Sequence, residues 1–350
     1  MPAPKYIAID TSIFDGAGYN FDSPRMRTFR ETVEGKGLKL LDPDPLVRER
    51  NRHIREKCSG VASSLTKIER SLPIVKELHA WPQTREYSEW NLSHKLRAKL
   101  AEFLAPFEVI PLGYDLVDMQ RVMTWHDYKF APFGSGKKNS EFPDAIAISI
   151  LERYADRESC QIAVISTDWD WERASEQRFN LMHFSSLDAY LEKSVGDSPL
   201  IGIVHNHFDT DNGIYWDWVK ELVSDLPCEI EDDWNSEAEI DEIGEIEFDD
   251  FYVISEAEAH CLVAFSVTVH FKAKATYQDE HSMAYDRDGE IEYGPNEERL
   301  VDGQLDTGGV AKVKLSADRS GVDEITALDI EAKSCAISFI GDSRDDDRCW

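Results

Sequence analysis

Long apolar runs are missing from this sequence. Nowhere do about 18 apolar residues follow one another, the length that a membrane-spanning helix needs. The first five residues lead straight into a strand-like segment, without the apolar stretch typical of a secretion signal. We therefore expect a cytoplasmic protein that has neither a membrane span nor an export signal.

Metal-binding cysteine and histidine patterns are also missing. The six cysteines are scattered, none forms a Cys-x-x-Cys pair, and no histidines pair with them at zinc-like intervals. His205 and His207 are close in sequence, but on a strand they would point to opposite faces and could not share a metal ion. The thiols are expected to be reduced, as is usual in the cytosol.

Positive charge is scarce, but only in one half of the chain. The 350 residues hold 38 Lys and Arg against 68 Asp and Glu. Residues 1–195 contain 27 basic and 29 acidic residues, whereas residues 196–350 contain 11 and 39. A strongly acidic surface repels phosphates, so nucleic acid would have to bind the first half. The acidic second half is expected to serve assembly or regulation, with a homo-oligomer or a regulatory protein as its partner.

The chain is rich enough in apolar residues, 42%, to build more than one core, and its length favours two domains. In residues 1–195, short apolar runs alternate with helical patterns, which predicts an α/β domain with a parallel sheet wrapped by helices. A heavily charged segment at about 59–103 is predicted as a helical insertion in that domain. The predicted strands are 6–10, 38–41, 108–112, 161–168 and 181–184.

The second half has a different pattern. Residues 196–250 are predicted to form a helix and an acidic connector, and residues 251–342 a mainly antiparallel β domain, because apolar and polar residues alternate there. Gly-containing pairs and triplets at 302–303 and 307–309 are interpreted as turns between its strands. Residues 343–350 are expected to be a solvated tail.

Acidic residues stand at the ends of several predicted elements. Asp10 and Asp168 end strands, Asp144 lies in the first turn of a helix, and Glu49 lies near the start of another. The carboxyl ends of parallel strands, and the helices that follow them, meet at one edge of a sheet. Carboxylates gathered there would repel one another unless a cation with a preference for oxygen ligands, such as Mg²⁺ or Mn²⁺, bound between them.

Four segments in this order resemble a known family. The segments are Ile7–Thr11, Val47–His53, Glu141–Ala145 and Ile165–Asp170. Together they are similar to PIN-domain nucleases, and most similar to the larger PIN-like proteins that carry a helical insertion and a Glu-Phe-Pro-Asp-Ala signature. The resemblance covers about residues 5–193.

This resemblance implies a metal-dependent nuclease that uses Mg²⁺ or Mn²⁺ and acts on RNA more often than on DNA. Carried over by position, Asp10, Glu49, Asp144 and Asp168 match the catalytic acids of the family. Asp10, Asp144, Asp168 and Asp170 are the expected metal ligands, although Asp170 is equally compatible with a solvated turn. A role in toxin-like growth arrest or antiviral defence is a further expectation, because PIN-like nucleases are often used in this way.

Basic residues near these acids are candidates for binding substrate. Lys137 and Lys138 lie in a glycine-containing loop before the Asp144 helix, and Arg52 and His53 belong to a basic run that starts at residue 48. A solvated helix face is the alternative for the run. The aromatic group at 125–128 is expected to pack in a core more readily than to stack on bases.

Two other functions remain open from the residues alone. One is a DNA nuclease, since the same metal chemistry hydrolyses either backbone. The other is a non-catalytic PIN-like scaffold that binds RNA or protein. The intact set of acids favours an enzyme over the scaffold.

Overall fold

The computed structural model describes residues 3–78, 86–134, 141–196, 198–210, 213–230, 237–278, 284–285, 291–292 and 296–337. The chain divides into two compact units, Met1–Gly196 and Asp197–Trp350. In the described parts, no helix is both long and apolar enough to cross a membrane.

The N-terminal unit is built on a parallel sheet of five strands in the order β3-β2-β1-β4-β5. Every neighbouring pair in it runs parallel, as the alternation of strands and helices predicted. The strands are β1 (Tyr6–Ile9), β2 (Lys39–Pro43), β3 (Glu108–Leu112), β4 (Ile162–Ile165) and β5 (Leu181–Phe184).

Eight helices accompany this sheet in the described residues. They are α1 (Thr11–Gly16), α2 (Pro24–Lys36), α3 (Asp44–Ser71), α4 (Glu89–Leu104), α5 (Met119–Tyr128), α6 (Phe142–Glu158), α7 (Trp169–Glu176) and α8 (Leu187–Val195). Two short 3₁₀ helices, Pro73–Glu77 and Tyr114–Leu116, lie between them. Much of the predicted insertion is the second half of α3, which continues unbroken for 28 residues, followed by α4.

The central strands are buried on both faces. In β1 and β4, Ile7, Ala8, Ile162 and Ile165 are fully buried, which explains why these strands are continuous apolar runs and do not alternate. Residues of α6 cover the sheet with a stripe that includes Ile148. The close-packed centre of the sheet therefore fixes the positions of the residues that follow the carboxyl ends of β1 and β4.

The C-terminal unit contains a six-stranded sheet in the order β12-β11-β8-β7-β6-β13. All of its neighbouring pairs are antiparallel except β6 with β13, which confirms a mainly antiparallel unit. The strands are β6 (Cys228–Ile230), β7 (Glu237–Glu256), β8 (His260–Gln278), β11 (Asn296–Leu315), β12 (Val322–Ile330) and β13 (Cys335–Ile337). A separate pair consists of β9 (Ala284–Tyr285) and β10 (Ile291–Glu292).

Two helices, α9 (Pro199–Thr210) and α10 (Gly213–Ser224), pack on this sheet. The ring of Phe208 stacks on Tyr215 with centroids 3.9 Å apart and reaches Phe251 of β7 at 4.1 Å. His205 and His207 lie on α9, so the expectation of a strand there was wrong. Their separation of two residues places them on different sides of a helix as well.

The predicted acidic connector is largely a strand. Residues 237–250 form most of β7, where Ile240, Ile243 and Ile246 face the core while neighbouring acids are exposed. The strand was missed because its register shifts between Ile240 and Glu242 and again between Ile243 and Ile246. Such bulges break the strict alternation by which a strand is recognised.

The glycines interpreted as turns lie inside β11. Gly303 pairs with Phe271 of β8, and Gly309 pairs with Phe265. A Cβ atom on either glycine would overlap the ring of its partner. Glycine is therefore required here to make room for a phenylalanine ring, and the strand continues through both positions.

This packing gives a prediction about stability. The Gly309→Ala substitution should lower the free energy of unfolding by about 1–3 kcal/mol, the usual cost of overpacking a filled core. Urea unfolding followed by tryptophan fluorescence measures the change, since Trp216 and Trp218 lie on α10. The control is Gly321→Ala, where a Cβ would meet nothing within 4 Å. Equal stability of the two variants would contradict this account of β11.

Candidate active site

Asp10 stands at the carboxyl end of β1 and caps the N-terminus of α1. Its side chain is buried, with a residue exposure of 7%. The Oδ2 atom accepts hydrogen bonds from Ser12 N (3.3 Å), Ser12 Oγ (2.6 Å) and Ser166 Oγ (2.9 Å). Because Ser166 directly follows β4, the carboxylate of Asp10 ties together the ends of the two central strands.

The same hydrogen-bond network reaches Asp168. Ser166 Oγ accepts from Asp168 N at 3.0 Å, and Ser12 Oγ accepts from Thr167 N at 3.2 Å. Asp168 caps α7 by accepting from Asp170 N at 2.8 Å, and its residue is exposed. Asp170 is buried and lies 3.8 Å from Arg173, so it is held inside the fold, which argues against a solvated turn.

Asp144 is brought to the same edge by α6. The helix begins at Phe142, and Pro143 occupies its first turn, a position that tolerates proline well. The carboxyl of Asp144 has a pKa raised to about 8 by burial first, then by a hydrogen bond with Glu141 and the nearby charges of Glu49 and Asp10. A carboxyl in this environment keeps its proton at neutral pH.

Glu49 comes from the second turn of α3, and its side chain is 25% exposed. Burial and the charge of Asp10 raise the pKa of Glu49, while His53 and Arg52 act in the opposite direction. Arg52 lies 3.3 Å from the Glu49 carboxylate and His53 lies 3.7 Å away. The charge of Asp10 thus contributes to the raised pKa of both Glu49 and Asp144.

One acid in this region was not anticipated. Asp15, at the end of α1, lies 2.5 Å from Nδ1 of His53 and 3.6 Å from Nζ of Lys57. His53 was predicted to bind substrate, but the contact with Asp15 holds its ring against α1. Asp15 lies one helical turn after Thr11, close to Asp10 in the sequence. An acid at this spacing is too common to indicate a functional residue.

The basic run of α3 divides into an inward and an outward part. Arg50 is buried and donates to both oxygens of Asp42, at 2.9 and 3.1 Å, so it supports the fold. Arg48 and Arg52 are exposed. Arg52 pairs with Glu49 at 3.3 Å and Glu56 at 3.9 Å, whereas Arg48 lies over the ring of Tyr114. Lys137 and Lys138 lie outside the described residues.

The aromatic group of α5 is mainly structural. Trp125 is buried, and the guanidinium of Arg178 lies 4.2 Å from its ring centroid. This agrees with the expectation that the group packs in a core. Tyr128 is the exception, with a residue exposure of 71%.

The donor chemistry of the site fits a hard divalent cation. Asp10, Glu49 and Asp144 offer carboxylate oxygens, the ligands that Mg²⁺ and Mn²⁺ prefer. The pKa of Asp144 is raised first by burial and further by the charges of Glu49 and Asp10, which a cation would offset. Across the ranges that the structure describes, however, no three His, Cys, Asp or Glu side chains are close enough to hold a metal ion as they stand. A cation would therefore have to draw these side chains together.

Comparison with known proteins gives one match. Residues 7–171, just under half of the chain, match the family model of a PIN domain. This range begins in β1 and ends in α7, so it contains all the carboxylates described above. Neither the search of curated proteins nor the search of solved structures found a match.

The pKa of Asp144 predicts a dependence of stability on pH. The folded protein keeps a proton on this carboxyl that the unfolded chain loses near pH 4, so stability should fall as the pH rises between about 4 and 8. Asp144→Asn removes this effect and should stabilise the protein more at pH 8 than at pH 5, measured by urea unfolding in EDTA.

The matched control is Asp22→Asn, because Asp22 has a side chain that is 78% exposed and pairs with a lysine, Lys99, at 3.7 Å. Its effect on stability should differ less between the two pH values than that of Asp144→Asn. The expectation fails if the difference between Asp144→Asn and the unsubstituted protein is the same at pH 5 and pH 8.

Proposed function

We propose that the protein is a metal-dependent endoribonuclease that hydrolyses phosphodiester bonds, because residues 7–171 match a PIN domain. The observation that carries the proposal is the meeting of Asp10, Glu49 and Asp144 at the carboxyl edge of the parallel sheet. Neighbouring carboxylates repel one another, and a cation bound between them would offset that repulsion.

Asp10, Asp144, Asp168 and Asp170 would hold Mg²⁺ or Mn²⁺, with Glu49 as a further catalytic acid. When bound, such an ion lowers the pKa of a water molecule and neutralises charge on the phosphate. Ser12 and Ser166 fix the orientation of the Asp10 carboxylate through their hydrogen bonds. No nucleophilic side chain is needed, because the attacking group is water.

Asp144 can also hold a proton. Burial, a hydrogen bond with Glu141 and the charges of Glu49 and Asp10 raise its pKa to about 8. Holding a cation would therefore require this carboxyl to be deprotonated.

RNA is proposed as the substrate on the family resemblance, and a role in toxin-like or antiviral defence rests on the same ground. DNA is the alternative substrate, and binding without cleavage is the alternative function. The acidic C-terminal unit is proposed to serve assembly or regulation, since 39 acidic and 11 basic residues in 196–350 make it a poor surface for phosphates.

The first test is cleavage of labelled single-stranded RNA, single-stranded DNA and duplex DNA, with Mn²⁺, with Mg²⁺ and with EDTA. Metal-dependent cleavage of RNA is expected, and cleavage of a circular RNA would establish an endonuclease. Asp144→Asn and Asp10→Asn should each lower the rate about 100-fold or more, since a metal ion supplies several kcal/mol of transition-state stabilisation.

Asp22→Asn serves as the control and should cleave at the rate of the unsubstituted protein. Cleavage of DNA in preference to RNA would move the proposal to the DNA nuclease. Cleavage that survives in EDTA, or in both site variants, would overturn it.

Binding of the cation can be measured without any substrate. Mn²⁺ should raise the melting temperature of the unsubstituted protein, because a ligand that binds only the folded state stabilises it, by about 2.7 kcal/mol at 100 times its Kd. Asp144→Asn should lose most of that increase, while Asp22→Asn keeps it. Equal shifts in all three proteins would place the Mn²⁺ elsewhere, for example on the acidic C-terminal unit.

A further inference from the structure

A cavity of about 280 Å³ opens beside the carboxylates. It lies between the first turns of α3, the 3₁₀ helix Tyr114–Leu116 and the N-terminus of α6. Glu49 belongs both to its lining and to the group of acids. A ligand in the cavity would therefore lie next to the proposed site of hydrolysis.

Five of the eight residues that line the cavity are aromatic or apolar. Tyr114 contributes a ring that is partly exposed, with a residue exposure of 44%. Phe142 contributes a second ring, held in place by stacking on His126 with centroids 5.2 Å apart. Pro45 and Ile146 add apolar surface. Such a lining favours a flat, weakly polar group over a hydrated ion.

Two arginines stand at the same cavity. The guanidinium carbon of Arg48 lies 5.6 Å from the ring centroid of Tyr114, and among the described residues Arg48 has no acidic partner. Arg52 also lines the cavity, and its side chain is 61% exposed. Cations above an aromatic cavity fit a ligand that combines a planar ring with phosphate groups.

We propose that this cavity is a base-binding subsite for a single-stranded nucleic acid. One unpaired base stacks on Tyr114, and the phosphates on either side of it contact Arg48 and Arg52. This arrangement brings a neighbouring phosphodiester to Glu49 and the other carboxylates. The proposal rests on the proposed function and deepens it, because it names how the substrate is held and why the strand is single.

The preference for a single strand follows from stacking on Tyr114. The cavity, near 280 Å³, is slightly smaller than usual small-molecule pockets, which start at about 300 Å³. A base that is paired and stacked in a duplex cannot present its face to Tyr114 without leaving the stack. Stacking is also tolerant of sequence, since every base has an aromatic face.

The test measures binding with cleavage switched off. Fluorescence anisotropy of a labelled ten-nucleotide single-stranded RNA is recorded in EDTA. Tyr114→Ala should weaken binding about 5- to 100-fold, the range expected for losing one stacked base. Tyr114→Phe should bind like the unsubstituted protein, since it keeps the ring.

The matched aromatic control is Phe179→Ala. Phe179 has a residue exposure of 89% and lies just before β5, at the sheet edge opposite the carboxylates. Its loss should leave the affinity unchanged. A fall equal to that of Tyr114→Ala would show a general effect of removing surface rings and would overturn the proposal.

Arg48 is tested by the salt dependence of binding. Arg48→Ala should make the slope of log K against log salt shallower by about 0.7, the value for one phosphate contact on a single strand. Arg157→Ala is its control, because Arg157 is 57% exposed at the far end of α6, about 22 Å from Phe142 along the helix. An unchanged slope for Arg48→Ala would show that Arg48 does not contact a phosphate, which contradicts its place in the subsite.

The outcomes separate this subsite from the nuclease activity. If the protein binds RNA through Tyr114 but cleaves nothing with Mn²⁺, the subsite stands and the proposed function fails. If it cleaves RNA while Tyr114→Ala binds normally, the nuclease stands and the subsite is wrong. Failure of the unsubstituted protein to bind the oligonucleotide, or equal binding of a free nucleoside monophosphate, would also overturn the subsite.

Discussion

The carboxylate of Asp10 connects the fold of the N-terminal unit to its candidate site. It is buried, and a buried carboxylate is costly unless hydrogen bonds replace the water it has lost. Those bonds come from Ser12, just after β1, and from Ser166, just after β4. The need to satisfy one charged group therefore holds the ends of the two central strands at a fixed distance. The position of Asp168 follows from this, because its backbone N–H donates to Ser166.

Asp144 meets the same problem differently. Among the described residues its hydrogen-bond partner is Glu141, itself an acid, and burial, this hydrogen bond and the charges of Glu49 and Asp10 raise its pKa. The two carboxyls at this edge of the sheet are thus stabilised differently. Asp10 accepts hydrogen bonds from several donors, whereas Asp144 keeps its proton. A divalent cation would change this balance by giving both groups a common partner. The repulsion between these carboxylates is a reason to expect that a cation binds there.

Much of this site could be predicted from the sequence, because its acids follow recognisable elements. The apolar runs before Asp10 and Asp168 indicated parallel strands, and Pro143 indicated the start of the helix that carries Asp144. Other features depend on which residues meet across the fold. The run from Arg48 to Arg52 looks uniform, yet Arg50 turns inward and pairs with Asp42 of β2.

The second half shows the same limit of sequence patterns. A glycine in a strand and a glycine in a turn look alike until the opposite residue is known, and Gly303 and Gly309 face phenylalanines across β8 and β11. The acidic segment of β7 was hidden by its register shifts. The periodicity of apolar residues predicts which face of one strand is buried. Bulges, and contacts between a phenylalanine ring and a glycine, depend on the neighbouring strand as well.

The distribution of charge has a consequence for how a polyanion would approach. Lysines of the C-terminal unit are engaged with acids of neighbouring strands, as in the pairs Lys274 with Glu298 at 2.8 Å and Lys314 with Glu324 at 3.1 Å. They are therefore poorly placed to attract phosphates. Arg48 and Arg52 have positive charge at the rim of an aromatic cavity, beside acids that would otherwise repel a strand. Attraction at these two positions would offset that repulsion locally and would confine a nucleic acid to the face of the N-terminal unit where the carboxylates lie.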